Sequence, residues 1–170
     1  NAFLDRGYNV VVNSLTITAS SFPATERVAV VRGDISDPAT ACNIATAALE
    51  SFGAIDGVVN NAGIFVTKAF TEYTTQDFER LTATNLRGYI NLTQVAVKQM
   101  LKQQTGGSVI CLTSAMVEHP IAGVHASLEE VGAKREAAGH VQADARHRGE
   151  ARALPAGDGD VCAACLPEPE

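Results

Sequence analysis

Apolar residues fall along this chain in two alternating patterns. Four short runs are apolar without a break: residues 8–13 (YNVVVN), 28–32 (VAVVR), 56–60 (DGVVN) and 108–112 (SVICL). Between them the apolar positions take helical spacing. Ala41, Ile44, Ala45, Ala48, Leu49 and Phe52 form one stripe, and Leu86, Ile90, Thr93, Val97 and Leu101 form another. The punctuation agrees. Gly7 closes the end of a helix, and the Ser/Thr-rich residues 14–27, with Pro23, read as a loop around a frayed helix. Asp37 before Pro38 opens a helix that Gly53 stops. Thr74 and Asp77 form a capping box, a long helical stretch runs from about Asn85, and Gly106-Gly107 ends it. Strands without alternation are buried on both faces, and helices separate them. The pattern predicts an α/β fold, a doubly wound parallel sheet.

A chain of 170 residues, 46% hydrophobic, has the size and composition of one domain. Its net charge of −6 and the lack of a basic stripe argue against nucleic acid or an anionic membrane as partner. No apolar run is long enough to span a bilayer. The opening residues, Ala2-Phe3-Leu4-Asp5-Arg6-Gly7, resemble the end of a helix rather than a signal peptide, so the chain is expected to begin inside a domain. Cytoplasm is the default location, because nothing asks for an oxidising compartment. Cys42 and Cys111 fall at apolar positions, where cysteine acts as a small hydrophobe. Cys162 and Cys165 have the spacing of half a zinc or redox site but lack a second ligand pair and a neighbouring βαβ unit; no metal site is expected.

The text changes after Ser127. Residues 128–170 contain no Ile, Phe, Tyr, Met, Ser, Thr or Asn, while ten of the 43 are Ala. Too few large apolar groups are present to offset the entropy of ordering. An unpatterned, disordered tail is expected. Translation out of frame from GC-rich DNA accounts for the missing Ser and Thr better than a natural tail does.

Ligands of doubly wound sheets bind beyond the carboxyl ends of the strands, and the chain's distinctive residues cluster there. Asp34-Ile35 follows the second apolar run, Asn60-Asn61-Ala62-Gly63 the third, and Ser114 the fourth, with Asn85-Leu86-Arg87-Gly88 on the long helix. In this order and spacing they resemble the short-chain dehydrogenase/reductase family over residues 1–127. The resemblance implies a Rossmann-like fold and hydride transfer between NAD(P) and a small carbonyl or alcohol substrate. It places Asn13 near the cofactor ribose, Asp34 at the adenine amino group with Ile35 beside it, and Asn60, Asn61, Ala62 and Gly63 against the ribose. It also assigns Asn85 to bending the helix and holding a water of the proton relay, and Ser114 to the substrate carbonyl. Asn13-Ser14 carries no acid to repel a 2′-phosphate, which leans to NADP over NAD. Each residue has a plainer role: Asn13 and Ser114 as turn residues, Asp34 as a turn cap, residues 60–63 as an Asn-Gly-type turn, Asn85 as a helix N-cap.

The pattern fails in two places. The family's general acid/base Tyr and its partner Lys would fall at Ser127 and Val131, or on a shifted alignment at Val124 and Leu128. All three tyrosines, Tyr8, Tyr73 and Tyr89, precede Ser114, and His125 has no identifiable partner to act in their stead. The glycine-rich phosphate turn is also absent, so the sheet is expected to be incomplete, lacking its first strand and that turn. The expected domains are 1–127, a partial NAD(P)-binding unit, and 128–170, the tail. Three functions follow: an oxidoreductase inactive as this chain, a non-catalytic module forming a homo-oligomer through the helix from Asn85 to Leu101, or a truncated product without selected function.

Overall fold

The computed structural model describes residues 2–22 and 24–113. Ser114, His125, Ser127, Cys162, Cys165 and the expected tail lie outside them. A short helix α1 (Ala2–Asp5) leads to β1 (Val10–Ser14), and a 3-10 turn (Ala19–Ser21) to β2 (Val28–Arg32). Helix α2 (Pro38–Phe52), β3 (Gly57–Asn60), α3 (Thr75–Thr82), α4 (Gly88–Gln103) and β4 (Ser108–Cys111) follow.

The helix ends are made as the sequence specifies. The Asp37 carboxylate accepts from the Ala39 N–H at 2.9 Å, Pro38 takes the first turn, and Gly53 closes α2 at φ 78°. Thr74 Oγ1 accepts from the Asp77 N–H at 3.2 Å, and Asp77 Oδ2 accepts from the Thr74 N–H at 2.9 Å, completing the capping box. The helix it opens continues past Asn85. A π turn (Ala83–Arg87) joins α3 to α4, with the Gly88 N–H donating to Ala83 O. Asn85 therefore sits inside a continuous helical run, and its alternative role as an N-cap does not hold.

The strands form two parallel pairs. β1 pairs with β2 from Val10↔Val28 to Ser14↔Arg32, and β3 with β4 from Gly57↔Ser108 to Asn60↔Cys111. No ladder joins β1 to β3. One core still spans both pairs. Helix α2 lies against β1 and β2, α4 lies against β3, and the two helices touch. Ala41, Ala45 and Ala48 of α2 meet Ile55, Val58, Val95, Ala96 and Met100, with Val11 of β1 packed on the edge. The alanines allow the close helix approach.

Two expectations need correction. The first strand starts at Val10 rather than Tyr8, because the β2 ladder begins there; Tyr8 is exposed and stands edge-on to Phe3 at 5.8 Å. The inner face of α4 is also not the Leu86–Ile90–Val97–Leu101 stripe. Tyr89, Val95, Ala96 and Met100 face inward, while Ile90 is 40% and Leu101 58% exposed. Buried Asn91 and Gln99 interrupt the inner face, so the outer stripe is the more regular of the two in sequence.

Gly88, at the start of α4, forms a notch for Ile35. A Cβ there would stand 2.8 Å from Ile35 Cγ2 and 3.3 Å from its carbonyl oxygen. Helix propensity alone would favour alanine by about 1 kcal/mol, so Gly88→Val is the cleaner test of the notch. Overpacking is expected to cost about 1–3 kcal/mol in urea denaturation. An unchanged midpoint would mean that Ile35 is not held by this contact.

Candidate functional site

The carboxyl ends of both strand pairs open on one cleft of about 370 Å³. Asn13, Asp34 and Ile35 line it from the β1–β2 side, and Asn60, Asn61, Ala62 and Gly63 from the β3 side. Seven of the nine residues singled out in the sequence therefore meet there. Asn85 stands behind the wall, and Ser114 lies outside the described residues. Ile64 and Thr84 also line the cleft. Neither has a sequence signal of its own; each is brought in by its neighbour, Gly63 or Asn85.

Each position has a local cause. Asn13 ends β1 and reaches across to β2, its Nδ2 donating to Val31 O at 2.9 Å and Gly33 O at 3.2 Å. Its amide donor thus ties two strands together. The Asp34 carboxylate accepts from the Ser36 N–H at 2.9 Å, and its carbonyl accepts from the Asp37 N–H at 3.0 Å. The turn-capping role is real, and the exposed carboxylate still borders the cleft. Ile35 is buried against Gly88, and Asn91 Nδ2 donates to Ser36 O at 3.4 Å. The Asp34 turn is thereby seated on α4.

Asn85 is buried and holds the opposite rim. Its Oδ1 accepts from the Ile64 N–H at 2.8 Å, and its Nδ2 donates to Ile64 O at 3.1 Å. The π turn aims this side chain out of the helix at the backbone that follows Gly63. A Cβ on Gly63 would lie 3.4 Å from Asn85 Oδ1, in ordinary van der Waals contact with the clamp. Below, Lys68 pairs with Asp77, and that ammonium together with the Thr74 hydroxyl holds the Asp77 carboxyl well below the usual carboxylate range. The pair fastens the start of α3 to the segment after the rim.

Asn60 is the exception. It is 3% exposed, yet neither its Oδ1 nor its Nδ2 has a hydrogen-bond partner. Among the described residues Asp34 is the one charged side chain on the cleft wall. The lining suits a nucleoside, offering a carboxylate for an amino group, an apolar patch at Ile35, and exposed backbone at residues 61–63 for a sugar. It does not suit a pyrophosphate. Among the described residues no cation lines it, and the nearby N-terminus of α2 is already capped by the Asp37 carboxylate. Among the described residues no cluster could hold a metal ion, and no helix is long and apolar enough to cross a membrane.

Comparison with known proteins places this geometry in context. The chain is similar to the L-rhamnose 1-dehydrogenase (NAD(P)(+)) of Sphingomonas sp. (strain SKA58), 38% identical over 89 residues, covering 52% of this chain and 35% of that protein. Among solved structures it is similar to a short-chain dehydrogenase/reductase from Brucella melitensis, 26% identical with a TM-score of 0.71, covering 79% of this chain and 56% of that one. ElxO with NADP bound has the same fold, at 24% identity and a TM-score of 0.72, over 80% of this chain and 57% of that one. The chain thus spans about a third of that curated relative and just over half of those structures. Residues 1–127 match the short chain dehydrogenase family, and the chain belongs to it.

Proposed function

We propose that this chain carries the nucleoside-binding half of an NAD(P)-dependent oxidoreductase that interconverts a small carbonyl and an alcohol, and that the chain itself does not turn over. One observation supports this above others: Asp34, Ile35 and residues 60–63, drawn from both strand pairs, share one cleft. Asp34 would meet the adenine, Ile35 its ring face, and the exposed backbone after Asn60 the ribose. When bound, the dinucleotide supplies or accepts the hydride. Asn85 holds the rim in place through Ile64, and Ser114 would take the substrate carbonyl. The proton donor is missing, since no Tyr follows Ser114. NADP is preferred over NAD, because the strand-end pair Asn13-Ser14 carries no acid. We assign residues 1–127 to this partial domain and 128–170 to an unpatterned tail, with cytoplasm as the location.

A second reading has its own support. Ile90 and Leu101 stand exposed on the outer stripe of α4. Such a stripe suits a homodimer packed through this helix.

No turnover is expected with NADH or NADPH and a panel of ketones; a rate above buffer that Ser114→Ala abolishes would refute this. Asn85→Ala should cost about 1–3 kcal/mol, because it strands the half-buried Ile64 amide and carbonyl. The check is urea denaturation with amide exchange at Ile64, and Asn85→Asp, which keeps only the acceptor, should fall between. For the dimer, Ile90→Lys with Leu101→Glu should halve the mass measured by light scattering. A mass unchanged by both charges would remove α4 from the interface.

A further inference from the structure

The carboxyl ends of β1 and β2 carry a charge that the cleft wall does not use. The register sets Ser14 opposite Arg32, the last residue of each strand. Side chains paired in this way leave a sheet on the same face. Ser14 lines the cleft, and Arg32 stands exposed just beyond the lining. Its Nε donates to the Leu15 carbonyl at 2.9 Å, and Leu15 lines the cleft as well. The guanidinium is thereby laid against the loop that leaves β1, at the outer corner of the cleft.

The other arginines of this strand pair serve its opposite end. Arg6 donates to Ala2 O and Arg27 to Leu4 O, both on α1 ahead of β1. Arg32 alone of the three stands where the strands open.

This arginine is held in place but not neutralised. Asn13 Nδ2 donates to the carbonyls of Val31 and Gly33, the residues on either side of it, and so fixes the strand end. Among the described residues its one acceptor is Leu15 O, and no carboxylate forms an ion pair with it. Both Nη groups are left to donate, in the planar fork that matches a phosphate. The Ser14 hydroxyl accepts only a long bond of 3.5 Å from the Thr16 N–H and keeps its own proton to give. Asp34 does not compete for the guanidinium, because its carboxylate accepts from the Ser36 N–H within its own turn.

We propose that Arg32, with the Ser14 hydroxyl beside it, is the specificity-determining anchor for a phosphate on the 2′-oxygen of an adenosine held in the cleft. The inference rests on the nucleoside reading above and deepens it. There the preference for NADP comes from an acid that is missing; here it comes from a cation that is present. A carboxylate at this strand end would favour the free 2′-hydroxyl, whereas an arginine accommodates the 2′-phosphate. Because the anchor is exposed, salt and water screen it, and a moderate gain is expected.

The test uses the whole chain and three probes, adenosine, adenosine 2′-monophosphate and adenosine 5′-monophosphate, titrated while the backbone amide resonances of residues 14–16 and 33–36 are followed. The 2′-monophosphate should bind at least about tenfold more tightly than adenosine, and the 5′-monophosphate should gain clearly less. Arg32→Gln should abolish the 2′ gain while adenosine still shifts residues 34–36, and Arg32→Lys, which keeps the charge but loses the fork, should retain part of it. Equal gains from the two phosphates, or a 2′ gain that survives Arg32→Gln, would overturn the anchor and leave the nucleoside reading standing. If none of the probes shifts residues 33–36, the nucleoside reading falls and the anchor falls with it.

Discussion

The contact between α2 and α4 is what makes the described residues one body. The strands alone do not, since β1–β2 and β3–β4 share no hydrogen bond. Small side chains on α2, at Ala41, Ala45 and Ala48, let α4 approach closely enough for Val95, Ala96 and Met100 to bury against it, with Ile55 and Val58 beneath. Everything at the cleft inherits its position from that seam. Two strand ends that do not touch are aimed at the same space because the helices above them do.

From the seam outward, the cleft is held by contacts that reach back to the helices. Ile35 enters the notch at Gly88, and Asn91 ties the carbonyl of Ser36. Asn85 grips Ile64 by both its backbone N–H and its carbonyl oxygen. The rims therefore rest on one continuous helical run, from Thr75 to Gln103, and not on each other. Such a cleft is precise at the Asp34 turn and along residues 60–64, where helix-held elements flank it, and among the described residues no cation lines it.

Much of this was legible in the sequence because it depends on local chemistry. The caps at Asp37, Gly53 and Thr74 and the apolar runs at β2 and β4 need only neighbours in the chain to make sense. Asp34, Ile35 and residues 60–63 were legible through their place at strand ends. The inner face of α4 was not. Periodicity reports that a helix has a stripe but not which of two stripes meets the core, and buried Asn91 and Gln99 disguised the inner one. The bonds of Asn13 to β2 and of Asn85 to Ile64 were equally hidden, since they join residues 18 to 21 positions apart through folded geometry.

The π turn at residues 83–87 has a bearing on how such chains diverge. A π turn is one residue more than an α-helix needs, absorbed locally so that the flanking helices keep their phase. Removing one residue there would leave α3 and α4 presenting their present faces and would return the backbone to regular α geometry. The swelling that turns Asn85 toward Ile64 would vanish with it. An insertion or deletion that is silent for packing would thus be decisive for the rim, so chain length across this turn separates relatives that keep the clamp from those that keep only the fold.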